Sequence, residues 1–397
     1  MDKSTAQALV DKNDGNISAA AREAGVGRTK FRGYLGYWTG EEGSEGTVKI
    51  EKEEITVLEE HRLKTELRNI TKMNKDLVVE LDKTSALVDL MHSFSKAPMT
   101  IPKWMAPGKT KGDRAIATSF LSDLHFDEVV KPEQVNFSNA YNRRIGELRL
   151  QKFFDNTLRM TRDYCGGIKI DGLILPLGGD IVSGDIHEEL QITNETHILE
   201  TVLHWTGQLA AGINMLSAHV EDIHIPCFAG NHGRMTKKPV MKDRNNRNFD
   251  WFIYKLLQDK CPGVTFDIPQ DTSARWKVYN TKYHGTHGDR FRGGGGIGGI
   301  MVPIRRGAAL LHQAEAVMGS PFDILILGHF HQYITDDGAG ILVNGSLKGY
   351  DEFAMNSNFG FQPPQQSFWL TDPDHGITLR APIRVLSDAE GWQRDTA

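Results

Sequence analysis

The chain has 397 residues, of which 39% are hydrophobic, 24% charged and 9% aromatic, with a formal net charge of -5. This is globular composition, which excludes a mostly disordered, collagen-like or membrane-embedded protein, and the charge alone gives no sign of a nucleic-acid partner. Three cysteines (Cys165, Cys227 and Cys261) are too few and too scattered for a disulfide framework or a thiolate zinc site, so a reducing cytoplasm is the expected setting.

In chain order, residues 1–38 come first, as a helix-turn-helix unit. Residues 3–12 can form a short helix. In NISAAAREAGVGRTKFRGYL, residues 16–35, Asn16 or Ser18 can cap a helix through Ala19, Ala20, Ala21 and Ala24. Gly25 can end it at positive φ, with Val26 plugging the turn. A second helix then runs from Arg28 to Leu35, with Phe31 and Leu35 facing inward at i, i+4. The pattern resembles the short helix-turn-helix of bacterial and phage regulators. Arg28, Thr29, Lys30 and Arg32 are then the candidate DNA contacts. A small helical hairpin for protein contacts has the same pattern.

Residues 39–47 (TGEEGSEGT) are an acidic linker. Residues 48–94 follow as one long helix without Gly or Pro over 48–92. Leu63, Leu67, Ile70, Asn74, Leu77 and Leu81 repeat at 3–4 spacing, which predicts a coiled coil and a homodimer through residues 55–90. The alternative is an amphipathic helix packed on the main domain. Residues 95–113, rich in Pro, Lys and Gly, form a second linker.

From residue 114 to 397 the pattern changes. The runs AIATSFLSDLH, GLILPLGGD, IHIPCFAGNH, YHGTHGD, DILILGHFH and GILVNGS are short, apolar and end in polar clusters, as buried strands do. Helical stretches at 137–164 and 188–216 lie between them, so the domain is α/β. The strand ends present Asp123 and His125, Asp180, Asn231 and His232, His287, and His329 and His331. Imidazole, carboxylate and amide oxygen suit Mn²⁺, Fe²⁺ or Zn²⁺. The one-residue spacers in the first and last pairs would put both side chains on one face of an extended strand end. So many ligands exceed the needs of one ion and fit two, sharing a carboxylate and a hydroxide.

In order, SDLH, GGD, GNH, THGD, GHFH and NGS resemble the motifs of the calcineurin-like metallophosphoesterases, including nucleases of double-strand-break repair. The match spans residues 116 to 347. The resemblance implies a four-layer α-β-β-α sandwich with two mixed sheets and two divalent metal ions, Mn²⁺ first. Asp123, His125 and His331 would hold one ion and Asn231, His287 and His329 the other, with Asp180 bridging. His232 would be catalytic, stabilising charge or protonating the leaving oxygen. His284 competes with His287. The family's usual acid after GNH is replaced by Gly233, so Asp289, Asp185 or a substrate phosphate would have to orient His232.

Other features bear on the substrate. His187, His197, His204, His219 and His224 read as ordinary surface or core histidines. The glycine-rich residues 291–300 could form a lid, with Arg290, Arg292, Arg305 and Arg306 lining a backbone path. Lys237, Lys238, Lys242, Arg244 and Arg247 against Asp243 make a basic loop beside GNH that favours a polyanion. Tyr350 and Phe353 could stack on a base or belong to the core. The expectation is a metal-dependent DNA nuclease or phosphodiesterase with DNA as partner. It would act away from membranes, in the cytoplasm of a bacterium or, if phage-encoded, of the host. The alternatives are a phosphatase or phosphodiesterase for small molecules or protein, and an inactive DNA-binding regulator.

Overall fold

The computed structural model describes residues 2–13, 15–36, 64–75, 103–105, 114–291 and 299–392. The chain divides into two compact units, Met1–Asp82 and Lys83–Ala397.

In the first unit, helices α1 (Lys3–Lys12), α2 (Ile17–Glu23) and α3 (Arg28–Tyr34) close on a small core of Ala6, Val10, Ala20, Ala21, Phe31 and Leu35. Asn16 caps α2 by accepting from the backbone N–H groups of Ser18 and Ala19, both at 3.1 Å. Gly25 leaves that helix at φ 69°. Arg28, Lys30 and Arg32 lie on exposed positions of α3; the side chain of Thr29 is outside the described residues. A further helix, α4, covers residues 64–75 and is exposed throughout. Its Leu67, Ile70 and Asn74 are positions of the expected heptad seam; Leu63, Leu77, Leu81, the rest of the 55–90 span and the 39–47 linker lie outside the described residues.

The second unit holds two mixed sheets. The first has the order β11-β10-β1-β2-β3-β4. Its strands are β1 (Arg114–Phe120), β2 (Lys169–Ile174), β3 (Ile223–Pro226), β4 (Thr265–Asp267), β10 (Gln365–Asp372) and β11 (Gly376–Arg384). Strands β1 to β4 are parallel, crossed over by α5 (Arg143–Arg159), α7 (Ile198–Ser217) and α8 (Phe249–Lys260), and β10 joins β1 antiparallel. The second sheet, β5-β6-β7-β9-β8, comprises β5 (Ser273–Val278), β6 (Thr281–Thr286), β7 (Ile324–Leu327), β8 (Ile334–Asp336) and β9 (Ile341–Val343). Helix α9 (Met301–Val317) links the parallel pair β6 and β7.

Side-chain alternation assigns the faces. Ile116 and Phe120 of β1 pack with Trp276, Tyr283, Ile326 and Leu342 of the second sheet, while Ala115 and Ala117 pack toward Phe153, Trp205 and Trp251 of the helices. On β7, Leu325 and Leu327 turn to Ile304 and Ala308 of α9, and Ile326 between them turns to the first sheet.

Two expected helices are shorter than their patterns suggest. The 137–164 helix starts only at Arg143, capped by Asn142, and ends in a π-turn at Met160–Tyr164. The 188–216 helix is two, α6 (Glu188–Thr193) and α7, because the segment between them is tied to Asp127. Glu195 N–H donates to its carbonyl (2.8 Å) and Thr196 Oγ1 to its carboxylate (2.8 Å). Within the 95–113 segment, Met105 is buried between the sheets and its carbonyl accepts from Tyr279 N–H at 3.1 Å. Among the described residues no helix is long and apolar enough to cross a membrane.

Candidate metal centre

The parallel strands of both sheets end at one rim, and the polar residues follow those ends at once. Asp123 and His125 follow β1, Asp180 follows β2, Asn231 and His232 follow β3, His287 follows β6, and His329 and His331 follow β7. Two glycines let the loops close up. A side chain on Gly230 would run into the carboxylate of Asp180, and one on Gly328 into that of Asp123.

Three trios of ligand atoms result, each within 4.8 Å: Asp123, His125 and His331; His125, Asp180 and His232; and Asp180, His287 and His329. Asp180 is shared by two of them. Its Oδ2 lies 2.9 Å from His287 Nε2 and 3.8 Å from His125 Nε2, and its Oδ1 accepts from His232 N–H at 2.7 Å. His125 Nε2 and His331 Nε2 approach to 3.1 Å, and His331 Nε2 is 3.5 Å from Asp123 Oδ1. Asp123, His125, Asp180 and His287 are buried; His232, His329 and His331 are half-buried and face the opening.

The donor chemistry fits divalent cations. Carbonyls only accept, so His287 carries a proton on Nδ1, donated to Gly178 O at 2.8 Å, and Nε2 is the ring nitrogen left to a cation beside Asp180. Asn231 Oδ1 is a buried oxygen with no hydrogen-bond partner among the described residues, an arrangement that asks for a cation. Burial pushes His125 down to about 4, with Lys348 adding to it, and His329 down to about 4, with His287 adding to it. Both are then neutral imidazoles, the form that binds a metal. Burial alone would raise the Asp180 carboxyl, but His287 and His232 hold it well below the usual range. His287 is driven the opposite way: burial opposes its charge, yet Asp180 raises it to about 10. The protonated imidazole takes the place beside Asp180 that a cation would otherwise fill.

The backbone carries a cost here. Asp123 (φ 55°), His125 (46°), Asp180 (50°), His329 (69°) and His331 (54°) are all left-handed. This corrects the strand-alternation argument: both one-spacer pairs lie past the strand ends in turns, so the spacer does not reflect an extended strand. The orienting group for His232 also differs from the expectation. Its Nδ1 donates to the backbone carbonyl of Ser183 at 2.9 Å, while Asp289 is paired with Arg244 at 2.9 Å. Gly233 is required by space, since a Cβ there would press on Asn248 and Asp250. His284 lies outside the three trios, its ring against Phe322 at 5.0 Å.

Several supporting residues were not picked out by the sequence patterns. Asp250 on α8 accepts from the N–H groups of Asp180 (2.9 Å), Ile181 (3.0 Å) and Gly230 (2.9 Å), so one carboxylate ties two loops together. Burial pushes it up to about 6, with Asp180 second. The available signal was an acid inside the apolar run FDWFIY. Behind His125, Glu128 lies 3.4 Å from Nδ1 and pairs with buried Lys348 at 2.9 Å; Lys348 also pairs with Asp351. Asn344 of NGS supports Ser122, donating to its Oγ at 2.9 Å. The basic loop abuts the centre: its Arg244 donates to Gly230 O at 3.4 Å, and Arg234 just before it donates to Asn231 O at 2.8 Å. Residues 292–298, most of the expected lid, lie outside the described residues.

No family model and no curated protein matches the chain. Among solved structures, the sulfate thiohydrolase SoxB of Thermus thermophilus, in complex with glycerol, overlaps 74% of this chain and 60% of its own at 10% identity and a TM-score of 0.30. The chain thus spans about 60% of that structure's length, and likeness at this level does not establish a shared fold.

Proposed function

We propose that the chain is a calcineurin-like metallophosphoesterase that cleaves phosphodiesters with two divalent ions, and that DNA is its substrate. The observation that carries this reading is Asp180, one buried carboxylate whose Oδ2 lies 2.9 Å from His287 Nε2 and 3.8 Å from His125 Nε2, between members of the two ligand sets. In it, Asp123, His125 and His331 hold one ion, Asn231, His287 and His329 the other, and Asp180 both. The layering of helices, two sheets and α9 supports a four-layer sandwich. Ions of the Mn²⁺ class, when bound, supply charge for the phosphoryl oxygens and make a nucleophile of water near neutral pH.

The chain's own residues do the rest. Ser183 O fixes the proton of His232 on Nδ1, so Nε2 faces the substrate. Protonated there, it donates to the leaving oxygen; neutral, it accepts a hydrogen bond. Asp250 holds the Asp180 and Gly230 loops in register. Arg244 and the basic loop favour a polyanion. The exposed Arg28 and Lys30 support DNA contact by a helix-turn-helix, and the exposed Leu67 and Ile70 support pairing of two chains through residues 55–90.

The test offers linear duplex DNA, single-stranded DNA, bis-p-nitrophenyl phosphate and p-nitrophenyl phosphate with Mn²⁺, with and without chelator. Chelator-sensitive cleavage of DNA and the diester is expected. Cleavage of the monoester alone would remove the nuclease reading. Absence of turnover with any metal would leave an inert scaffold. Removal of residues 1–92 should weaken DNA binding and spare small-diester hydrolysis; unchanged DNA affinity would refute a targeting role.

A further inference from the structure

Tyr350, Phe353, Phe359 and Phe361 stand within one short stretch of chain beside the His331 loop. They form two edge-to-face pairs. Tyr350 and Phe361 have centroids 5.5 Å apart at 70°, and Phe353 and Phe359 are 5.8 Å apart at 81°. Phe353 is 69% exposed, Phe361 55% and Phe359 39%. A single exposed ring is unremarkable, but clustered exposed rings mark a surface that meets something.

The cluster is held to the candidate centre on two sides. Gln332, next to His331, donates to Gly360 O at 2.8 Å, and Tyr333 N–H donates to Gln362 Oε1 at 2.7 Å. On the other side, Tyr350 and the helix after it follow Lys348, which pairs with Glu128 behind His125. The rings are therefore built into the frame of His331 and His125. A group resting on them while its phosphate reached the centre would be part of the same substrate.

We infer that these rings are a stacking platform for an unpaired nucleobase, so that the substrate is a nucleotide or a single strand rather than intact duplex. The inference rests on the phosphoesterase reading and deepens it. An edge-to-face pair leaves an outer π-face free, and every base offers a matching face. The charge pattern agrees. Asp351, beside Tyr350, pairs with Lys348, whereas Arg234 and Arg244 lie at the Asn231 loop, Arg234 donating there to backbone carbonyls and Arg244 pairing with Asp289. Phosphates thus have a basic border and bases an aromatic one, as in single-strand binders.

The experiment measures binding of fluorescein-labelled oligo-dT and of an abasic strand of equal length by anisotropy, in the full chain with chelator so that nothing is cleaved. Oligo-dT should bind on the order of tenfold more tightly than the abasic strand. Phe353→Ala with Phe361→Ala should reduce that ratio to below about twofold. Phe361→Trp should keep it and Phe361→Leu should lower it, because stacking needs the π-face and an apolar contact does not. Equal binding of the two strands, no binding of either, or a ratio indifferent to these substitutions would overturn the platform; a surface for an apolar protein partner would give the last result. Turnover of bis-p-nitrophenyl phosphate by the unaltered protein with Mn²⁺ tests the phosphoesterase reading separately, since stacking is read without ions.

Discussion

The small helical unit and the metal-centre rim treat the backbone in opposite ways. Among the described residues of 2–36, the left-handed positions are Gly15, Gly25 and Gly36, where a missing Cβ makes that conformation inexpensive. At the rim glycines such as Gly179 and Gly288 share that conformation with Asp123, His125, Asp180, His329 and His331, whose side chains each cost roughly 1 kcal/mol or more in that region. Local rules are followed where only folding is at stake. They are overridden where ligand atoms must converge, and Asp250, Asn344 and the Lys348–Glu128 pair hold the strained turns in place. The contrast predicts that substitutions at the rim act on chemistry far more than those in the helical unit act on anything.

Asp180→Ala is the most severe way to test this. It removes the carboxylate common to two trios, so bound Mn²⁺ and diester turnover should fall together, the latter by roughly 10³-fold or more. Retention of both metals, measured by elemental analysis, would show that Asp180 is not a ligand. His232→Ala should behave differently. Its Nδ1 serves Ser183 and its neighbours already suffice for two ions, so metal content should persist while turnover drops by about 10²-fold. Loss of metal in that variant would make His232 a ligand and redraw the trio it shares with His125 and Asp180.

Ion binding itself sharpens the contrast. Mn²⁺ at roughly a hundred times its dissociation constant should stabilise the second unit by about 2.7 kcal/mol, since ions offset the convergence of carboxylates and imidazoles. The corresponding rise in melting temperature is roughly 4 °C for a unit of this size. The helical unit, followed by amide exchange in residues 2–36, should be indifferent to the ion. An equal response there would mean that ligation is not confined to the rim.

What was legible in the sequence follows the same division. In the helical unit, Asn16 as cap, Gly25 as terminator, and Phe31 and Leu35 as core all declare themselves through neighbours in sequence, and the structure places them so. At the rim, the apolar runs ending in SDLH, GGD and GHFH marked strand ends, because a buried strand must be apolar and its ligand-bearing loop must not be. Strand β10 escaped notice because it begins QQS. Gln366 and Ser367 are buried polar residues bonded to Ser122 and Asn344, partners far away in the chain. Asp250 and Lys348 escaped for the same reason: their partners are set by the tertiary fold. The break between α6 and α7 depends on Asp127, 69 residues upstream of Thr196.

The gentlest test lies in the helical unit. In Asn16→Ala, the N–H groups of Ser18 and Ala19 lose their acceptor, which should cost about 1 kcal/mol of local stability, as cap deletions do. The core of α1 to α3 is only a handful of side chains, so that loss should appear as faster amide exchange across α2 and α3. Hydrolysis of a small diester should be unchanged, since none of these residues belongs to the three trios. DNA affinity should weaken in step with the exchange, because Arg28 and Lys30 present their charges only while α3 is formed. A variant with faster exchange but undiminished DNA affinity would separate the helical unit from DNA binding and leave the basic loop of the second unit as its source.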